Sequence, residues 1–316
     1  ILQIFPPDTT EQALSVARIS SQIRAQERQE RLNIIQSDLA VLEEAINRHR
    51  LSLRDGQPAG ATNAHANMAR PLALVIGNDA YLHQRPLEAA VHDASAMSTT
   101  LTKLGFTVRR VVNGSRQAME LAIDEHTRQL MPGDISVVFF AGHGFQFRGD
   151  NYLAPTDFKY SRYDDNDLKL ATSAISLNII LKSISSRFPQ ANIVIIDACR
   201  DVLRGANVGL AEIQAGRNSY IALAAKPGQE AFEPLGGTPS APKNGLFTGA
   251  ILKHIDKPVD IDEVFRFVRV DVEAESRRLA AGKEPQQTWS SNSLSHRLIL
   301  NAATAPEPRS VARRDD

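Results

Sequence analysis

The chain has 316 residues and a single cysteine, Cys199. One cysteine excludes an internal disulfide framework, and it excludes a zinc site built from cysteines of this chain. No charge of either sign is in excess: 36 Lys and Arg stand against 36 Asp and Glu. Nothing in that balance suggests nucleic acid or a membrane surface as an electrostatic partner. No apolar run approaches the ~18–20 residues a spanning helix needs, and no signal peptide is visible. The chain begins at Ile1 rather than Met. It reads as a fragment or processed form from which an upstream leader or anchor could have been removed, so the cytoplasmic location expected here draws no support from the missing leader.

Glycine and proline are wholly missing from residues 9–54, which removes the usual helix breakers. Leu32, Ile35, Leu39, Leu42 and Ile46 recur at three- and four-residue spacing, and Leu14, Val16, Ile19 and Ile23 continue the stripe less regularly. Residues 1–54 are therefore expected to form a helical segment. Two readings stay open: a helix or hairpin packed on itself or on the rest of the chain, and a coiled coil that oligomerises or binds a regulatory partner. "DGQPAGATNAHANMAR", residues 55–70, is small, polar and turn-rich, the composition of a flexible linker. The tail, 302–316, reads as disordered.

What is present lies between. Apolar runs occur at Leu72–Ile76, Val108–Val112, Ile135–Phe140, Ile193–Ile196 and Tyr220–Ala224. Helical patterns separate them at Pro86–Leu104, Ser115–Met131 and Ser173–Arg187, with two more near Gly245–Ile255 and Asp260–Ala281; "HRLIL", 296–300, is a candidate last strand. Near-continuous apolar strands alternating with helices predict an α/β domain over 71–301, a mostly parallel sheet covered on both faces.

Two of these strands end on chemistry. "VVFFAGHGFQFRG" (137–149) finishes an apolar run in Gly142-His143-Gly144, and "IVIIDACRD" (193–201) carries the lone Cys199. Ligands in an open parallel sheet bind beyond the carboxyl ends of the strands, so neighbouring strands would bring His143 and Cys199 over one crevice. The flanking glycines are expected to make a tight turn that lets a substrate backbone approach. A thiol with a free pKa of about 8.5 is a weak nucleophile at neutral pH until an adjacent imidazole takes its proton. The same imidazole can then protonate a leaving amine. The backbone N–H groups of Gly144 and Cys199 are candidates for an oxyanion hole. This is acyl-transfer chemistry, and it needs no cofactor. "VIGNDAY" after the first strand lacks the glycine pattern of a dinucleotide site, and there is no P-loop.

At these residues the sequence resembles the caspase-like cysteine peptidases. "FFAGHG" is followed by "IIDACRD" about 56 residues later, the order and rough spacing of that clan. Asp197-Ala198-Cys199-Arg200-Asp201 departs from the Gln-Ala-Cys caspase signature and resembles the paracaspase and metacaspase branch, including its bacterial members. "ALVIGNDAYLHQRPLEAAVHDASAM", "YIALAAKPGQEAFE" and "NGLFTGAILKHI" are similar to further family segments. The resemblance covers about residues 70–300 and implies a caspase-like α/β/α sandwich preceded by the N-terminal helical segment. It implies an endopeptidase that cuts after Arg or Lys, with an acidic S1 pocket at Asp93, Asp197 and Glu230. A guanidinium needs carboxylates placed for bidentate hydrogen bonds. Those acids would raise the Cys199 pKa unless the imidazolium offsets them, so activity is expected at neutral or mildly alkaline pH.

Relatives are often controlled by cleavage or oligomerisation. Arg200, Arg204 and Arg217 after the cysteine, and Arg54 and Arg70 around the linker, are candidate autocleavage sites. "YDDND", 163–167, offers oxygen ligands for calcium but lacks the glycine and terminal glutamate of an EF-hand loop. Protein or peptide substrates are the expected partners. The competing reading is a catalytically silent caspase-like scaffold.

Overall fold

A computed structural model describes residues 69–147, 149–159, 173–199, 210, 213, 216–226, 229, 231, 244–279 and 284–301, with the backbone alone at Cys199. All belong to one compact unit, His65–Asp316. The N-terminal segment, the linker up to Met68 and the tail beyond Asn301 lie outside the described residues, as does the acidic cluster 163–167.

The strands are β1 (Pro71–Gly77), β2 (Thr107–Val112), β3 (Ile135–Phe147), β4 (Asp150–Leu153), β5 (Ile175–Ser176), β6 (Ala191–Cys199), β7 (Ser219–Leu223) and β8 (Trp289–Asn292). The helices are α1 (Ala90–Lys103), α2 (Arg116–Gln129), α3 (Leu177–Ser185), α4 (Leu246–Leu252) and α5 (Ile261–Leu279). The main sheet runs β2-β1-β3-β6-β7-β8. Its pairs are parallel as far as β7, and β8 closes it antiparallel. This is the expected α/β/α sandwich.

Strand alternation builds the layers. Val137, Phe139 and Ala141 of β3 face a core shared with Ala94, Met97 and Leu101 of α1, Phe247 and Ile251 of α4, and Val264 and Val268 of α5. Val138 and Phe140 face the opposite core, with Met119 and Ala122 of α2 and Ile180 and Ile184 of α3. Period-two burial on both faces is why these strands read as unbroken apolar runs.

Three expectations change. β3 does not stop in a turn at Gly142-His143-Gly144. It continues to Phe147 and changes partners: β1 as far as Ala141, β6 as far as His143, and the antiparallel hairpin strand β4 from Gly144 onward. α1 starts at Ala90 rather than Pro86, because the chain before it crosses the sheet tip as a loop. The last strand is "WSSN" rather than "HRLIL". Leu298 is buried, but its N–H donates to Asp260 Oδ2 (2.9 Å) and its carbonyl accepts from Ile261 N–H (2.8 Å). That segment therefore ties down the start of α5 instead of pairing in the sheet.

Candidate active site

β3 and β6 run parallel in a register that makes His143 the Cα partner of Cys199, the last residue of β6. Two residues earlier on the same strands, Ala141 pairs with Asp197. The two chemistry-bearing residues are thus direct neighbours across the sheet.

His143 is almost wholly buried. Its Nε2 lies 2.8 Å from the Arg85 carbonyl. A carbonyl only accepts, so Nε2 carries the hydrogen and Nδ1 carries the lone pair. Its backbone N–H donates to Tyr81 Oη (2.7 Å), and the Tyr81 ring packs on the imidazole with centroids 4.5 Å apart. The neighbouring glycines make room within the protein. A Cβ on Gly142 would stand 2.6 Å from Tyr81 Oη, and one on Gly144 would stand 2.9 Å from Ala198 Cβ.

The acids converge from two other elements. Gly77 ends β1 without a side chain, where a Cβ would lie 2.5 Å from Ala94 Cβ and 2.6 Å from the Ala90 carbonyl. α1 therefore packs directly on the strand tip, and Asp93 in its first turn is buried beside β6. Asp93 Oδ1 accepts from Asn244 Nδ2 (2.9 Å) and from Gly245 N–H (3.0 Å). Asp197 Oδ2 accepts from Thr248 Oγ1 (2.6 Å) and Thr248 N–H (3.2 Å). A Cβ on Gly245 would touch both carboxylates, at 3.0 Å from Asp93 Oδ2 and 3.4 Å from Asp197 Oδ2. Burial, reinforced by the Asp197 charge and only partly opposed by Asn244 and Gly245, pushes the Asp93 carboxyl up to about 8. Burial raises Asp197 as well, against the two Thr248 donors. Among the described residues these two adjacent acids have only neutral partners, a pair that a cation would relieve.

A family model for the caspase domain matches residues 70–299. The chain belongs to the caspase-domain family. Its domain is of the caspase-like cysteine-peptidase kind, and its sheet, register and flanking helices agree with that membership. Two curated relatives are mucosa-associated lymphoid tissue lymphoma translocation protein 1 of Homo sapiens and its homolog of Mus musculus. Each is 26% identical over 129 residues, which is 41% of this chain and 15% of the relative. The chain thus spans a small part of the relatives it matches.

The remaining nominated residues separate. Glu230, Arg54, Arg200 and Arg204 lie outside the described residues. Arg217 is exposed in the turn before β7, at the opposite end of the sheet from His143. Arg70 is tied into the folded caspase domain at both its side chain and its main chain. Its guanidinium grips Asp134 through both Nε (3.1 Å) and Nη2 and reaches the Gln129 carbonyl (2.9 Å). Its carbonyl accepts from Ile135 N–H (3.0 Å), and the next residue, Pro71, opens β1. Sequence reasoning missed Tyr81, the Arg85 carbonyl, Asn244, Gly245 and Thr248. The short-range signal for the first two was "NDAY" followed by a proline. Nothing local pointed to the other three. No helix among the described residues is long and apolar enough to cross a membrane.

Proposed function

We propose that this caspase domain is a cysteine endopeptidase that cuts after Arg, and after Lys with lower efficiency. Cys199 is the nucleophile and His143 its base. Asp93 and Asp197 seat the P1 side chain, with Glu230 as a third acid. The observation that carries the reading is the pairing of His143 with Cys199 beside two carboxylates, the buried Asp93 and the half-buried Asp197, that converge on Gly245. His143 takes the thiol proton at Nδ1. The thiolate adds to the scissile carbonyl, and the oxyanion is met by the backbone N–H groups of Gly144 and Cys199. The imidazolium returns the proton to the leaving amine, and water then releases the acyl group. Arg is favoured because its planar fork can engage two carboxylates at once. Asp at P1 would add a third negative charge to the pocket.

The peptidase domain is assigned to 71–301 and the 55–70 segment to a linker. Regulation is assigned to the 1–54 segment, as an oligomerisation or partner-binding element, and to autoprocessing at Arg204 or Arg217. The start of β7 lies seven residues below the His143 register, roughly 23 Å along the sheet. Cleavage at Arg217 is therefore made by another molecule. The location is cytoplasmic. Calcium, if it is used, binds at 163–167.

The test is a fluorogenic peptide panel with Arg, Lys or Asp at P1, run with and without calcium beside Cys199→Ala. The expected result is turnover of Arg above Lys, none of Asp, and none by the variant. Turnover of Asp, or equal rates from wild type and Cys199→Ala, refutes the reading. No turnover and no labelling by an arginine-tipped electrophile supports the silent scaffold. Intact masses for wild type and Cys199→Ala that differ only by the substituted sulfur dispose of autoprocessing.

A further inference from the structure

We propose that Tyr81 is a positioning residue for His143, a role that rests on the Cys199–His143 reading above. β1 pairs with β3 as far as Gly77 opposite Ala141, and the ladder gains one more bond, from Asn78 N–H to the Ala141 carbonyl (2.9 Å). In a continuing parallel ladder the next donor on that edge, His143 N–H, would meet the carbonyl of residue 78. The chain turns away there, and Tyr81 Oη takes its place at 2.7 Å. The hydroxyl passes the bond on to the Ala154 carbonyl (3.3 Å), while Ala154 N–H donates to the His143 carbonyl (2.9 Å). Both backbone groups of His143 are thereby closed into one ring of hydrogen bonds. This happens at the residue where β3 leaves β6 for the hairpin.

The support for Tyr81 is itself rigid. Asn113, at φ 50, accepts from the N–H groups of Asp79 (2.9 Å) and Ala80 (3.0 Å) through its Oδ1. Asn78 Nδ2 donates to the Ala154 carbonyl (3.2 Å), and Asn78 Oδ1 accepts from Gly114 N–H (2.9 Å). Four residues further along, the same loop presents the Arg85 carbonyl to Nε2. One loop thus fixes the main chain, the ring face and the tautomer of His143. The "NDAY" stretch, which lacks the glycine pattern of a dinucleotide site, has this work instead. Gly142 follows from it, because any Cβ there would collide with the hydroxyl.

The test reads the imidazole through the thiol. The rate of Cys199 alkylation by iodoacetamide is measured against pH for wild type, His143→Ala and Tyr81→Phe, at a temperature where thermal melts show all three folded. Wild type should titrate below the free-thiol value of about 8.5, and His143→Ala should return to it. Tyr81→Phe should shift toward His143→Ala and lose about tenfold in kcat with KM nearly unchanged, the worth of one neutral hydrogen bond. A Tyr81→Phe profile superimposed on wild type, with kcat unchanged, overturns the role of Tyr81 alone. Superimposed wild-type and His143→Ala profiles overturn the dyad and this proposal together. If Tyr81→Phe does not fold, tetrafluorotyrosine at position 81 keeps ring and hydroxyl while acidifying the phenol. An added limb in the kcat–pH profile is then expected, and its absence is decisive against the idea.

Discussion

The two ends of the sheet treat a buried carboxylate in opposite ways. At the lower end Asp134 is met by a guanidinium from within the fold. Arg70 donates through Nε, Nη2 and its backbone N–H, and Met131 N–H adds a fourth bond at 2.8 Å. At the upper end Asp93 and Asp197 lie together, and the donors facing them from Asn244, Gly245 and Thr248 are all neutral. The lower arrangement is what a satisfied acid needs, a bidentate cation with backbone donors. Among the described residues, the upper arrangement has the donors and lacks the cation. The protein itself thus displays the ligand that its open end is proposed to receive, an arginine side chain.

The largest expected effect breaks the upper end. Asp93→Asn and Asp197→Asn should each cut kcat/KM for Arg-P1 peptides by about a hundredfold or more, since each leaves a guanidinium short of a buried charged partner. Stability should move the other way. The Asp93 carboxyl rises from an ordinary carboxylate value to about 8 on folding, so the folded state holds a proton the unfolded chain has released. The stability linked to that proton is full below about pH 4 and is lost as pH rises through about 8. Asp93→Asn should therefore melt higher than wild type at pH 8–9. A variant that loses both cleavage and stability at pH 9 would show that the pair is structural, like Asp134.

Much of this contrast was unreadable in the sequence. The apolar runs gave the sheet because residues buried on both faces have little compositional freedom, and they put Cys199 at the end of its strand, but they did not show that the strand of His143 runs on to Phe147. The register that pairs these two residues depends on strand order, which no local pattern carries. Asn244, Gly245 and Thr248 reach acids about 50 to 150 residues away in the chain, so their role exists only after folding. "WSSN" forms an edge strand by pairing with β7 despite its polarity. "HRLIL" buries Leu298 without entering the sheet. In both, tertiary contacts overrode composition. Arg70 looked like a linker arginine because nothing nearby in sequence announces Asp134.

A smaller effect sharpens the lower end. Arg70→Ala leaves Asp134 buried with its backbone donors and no cation. Since the arginine side chain is half exposed, water recovers part of the loss, and the expected cost is about 2–3 kcal/mol in chemical denaturation. kcat/KM measured well below the melting temperature should stay at the wild-type value. If Arg70→Ala instead removes activity while folded, the two ends are coupled and the comparison fails.

The smallest effect sets a second buried titration against the acid pair. His126, on α2 near the lower end, is buried with Nε2 3.0 Å from Ser136 Oγ, and burial lowers its pKa to about 4. The unfolded chain takes up this proton near pH 6.5, whereas the folded protein refuses it until about pH 4. Its contribution is intact above pH 6.5 and shrinks as pH falls toward 4, by about 2 kcal/mol at pH 5. The acid pair loses stability as pH rises, and His126 loses it as pH falls. Melting curves of wild type, Asp93→Asn and His126→Gln from pH 4 to 9 separate the two. The two titrations oppose each other between about pH 4 and 6.5, so Asp93→Asn should remove the fall between about pH 6.5 and 8 and steepen the loss below 6.5, while His126→Gln should leave stability falling from about pH 4 to 8. An acid limb that survives in His126→Gln would assign it to groups outside the α2–β3 contact, and the lower end would then be no better satisfied than the upper.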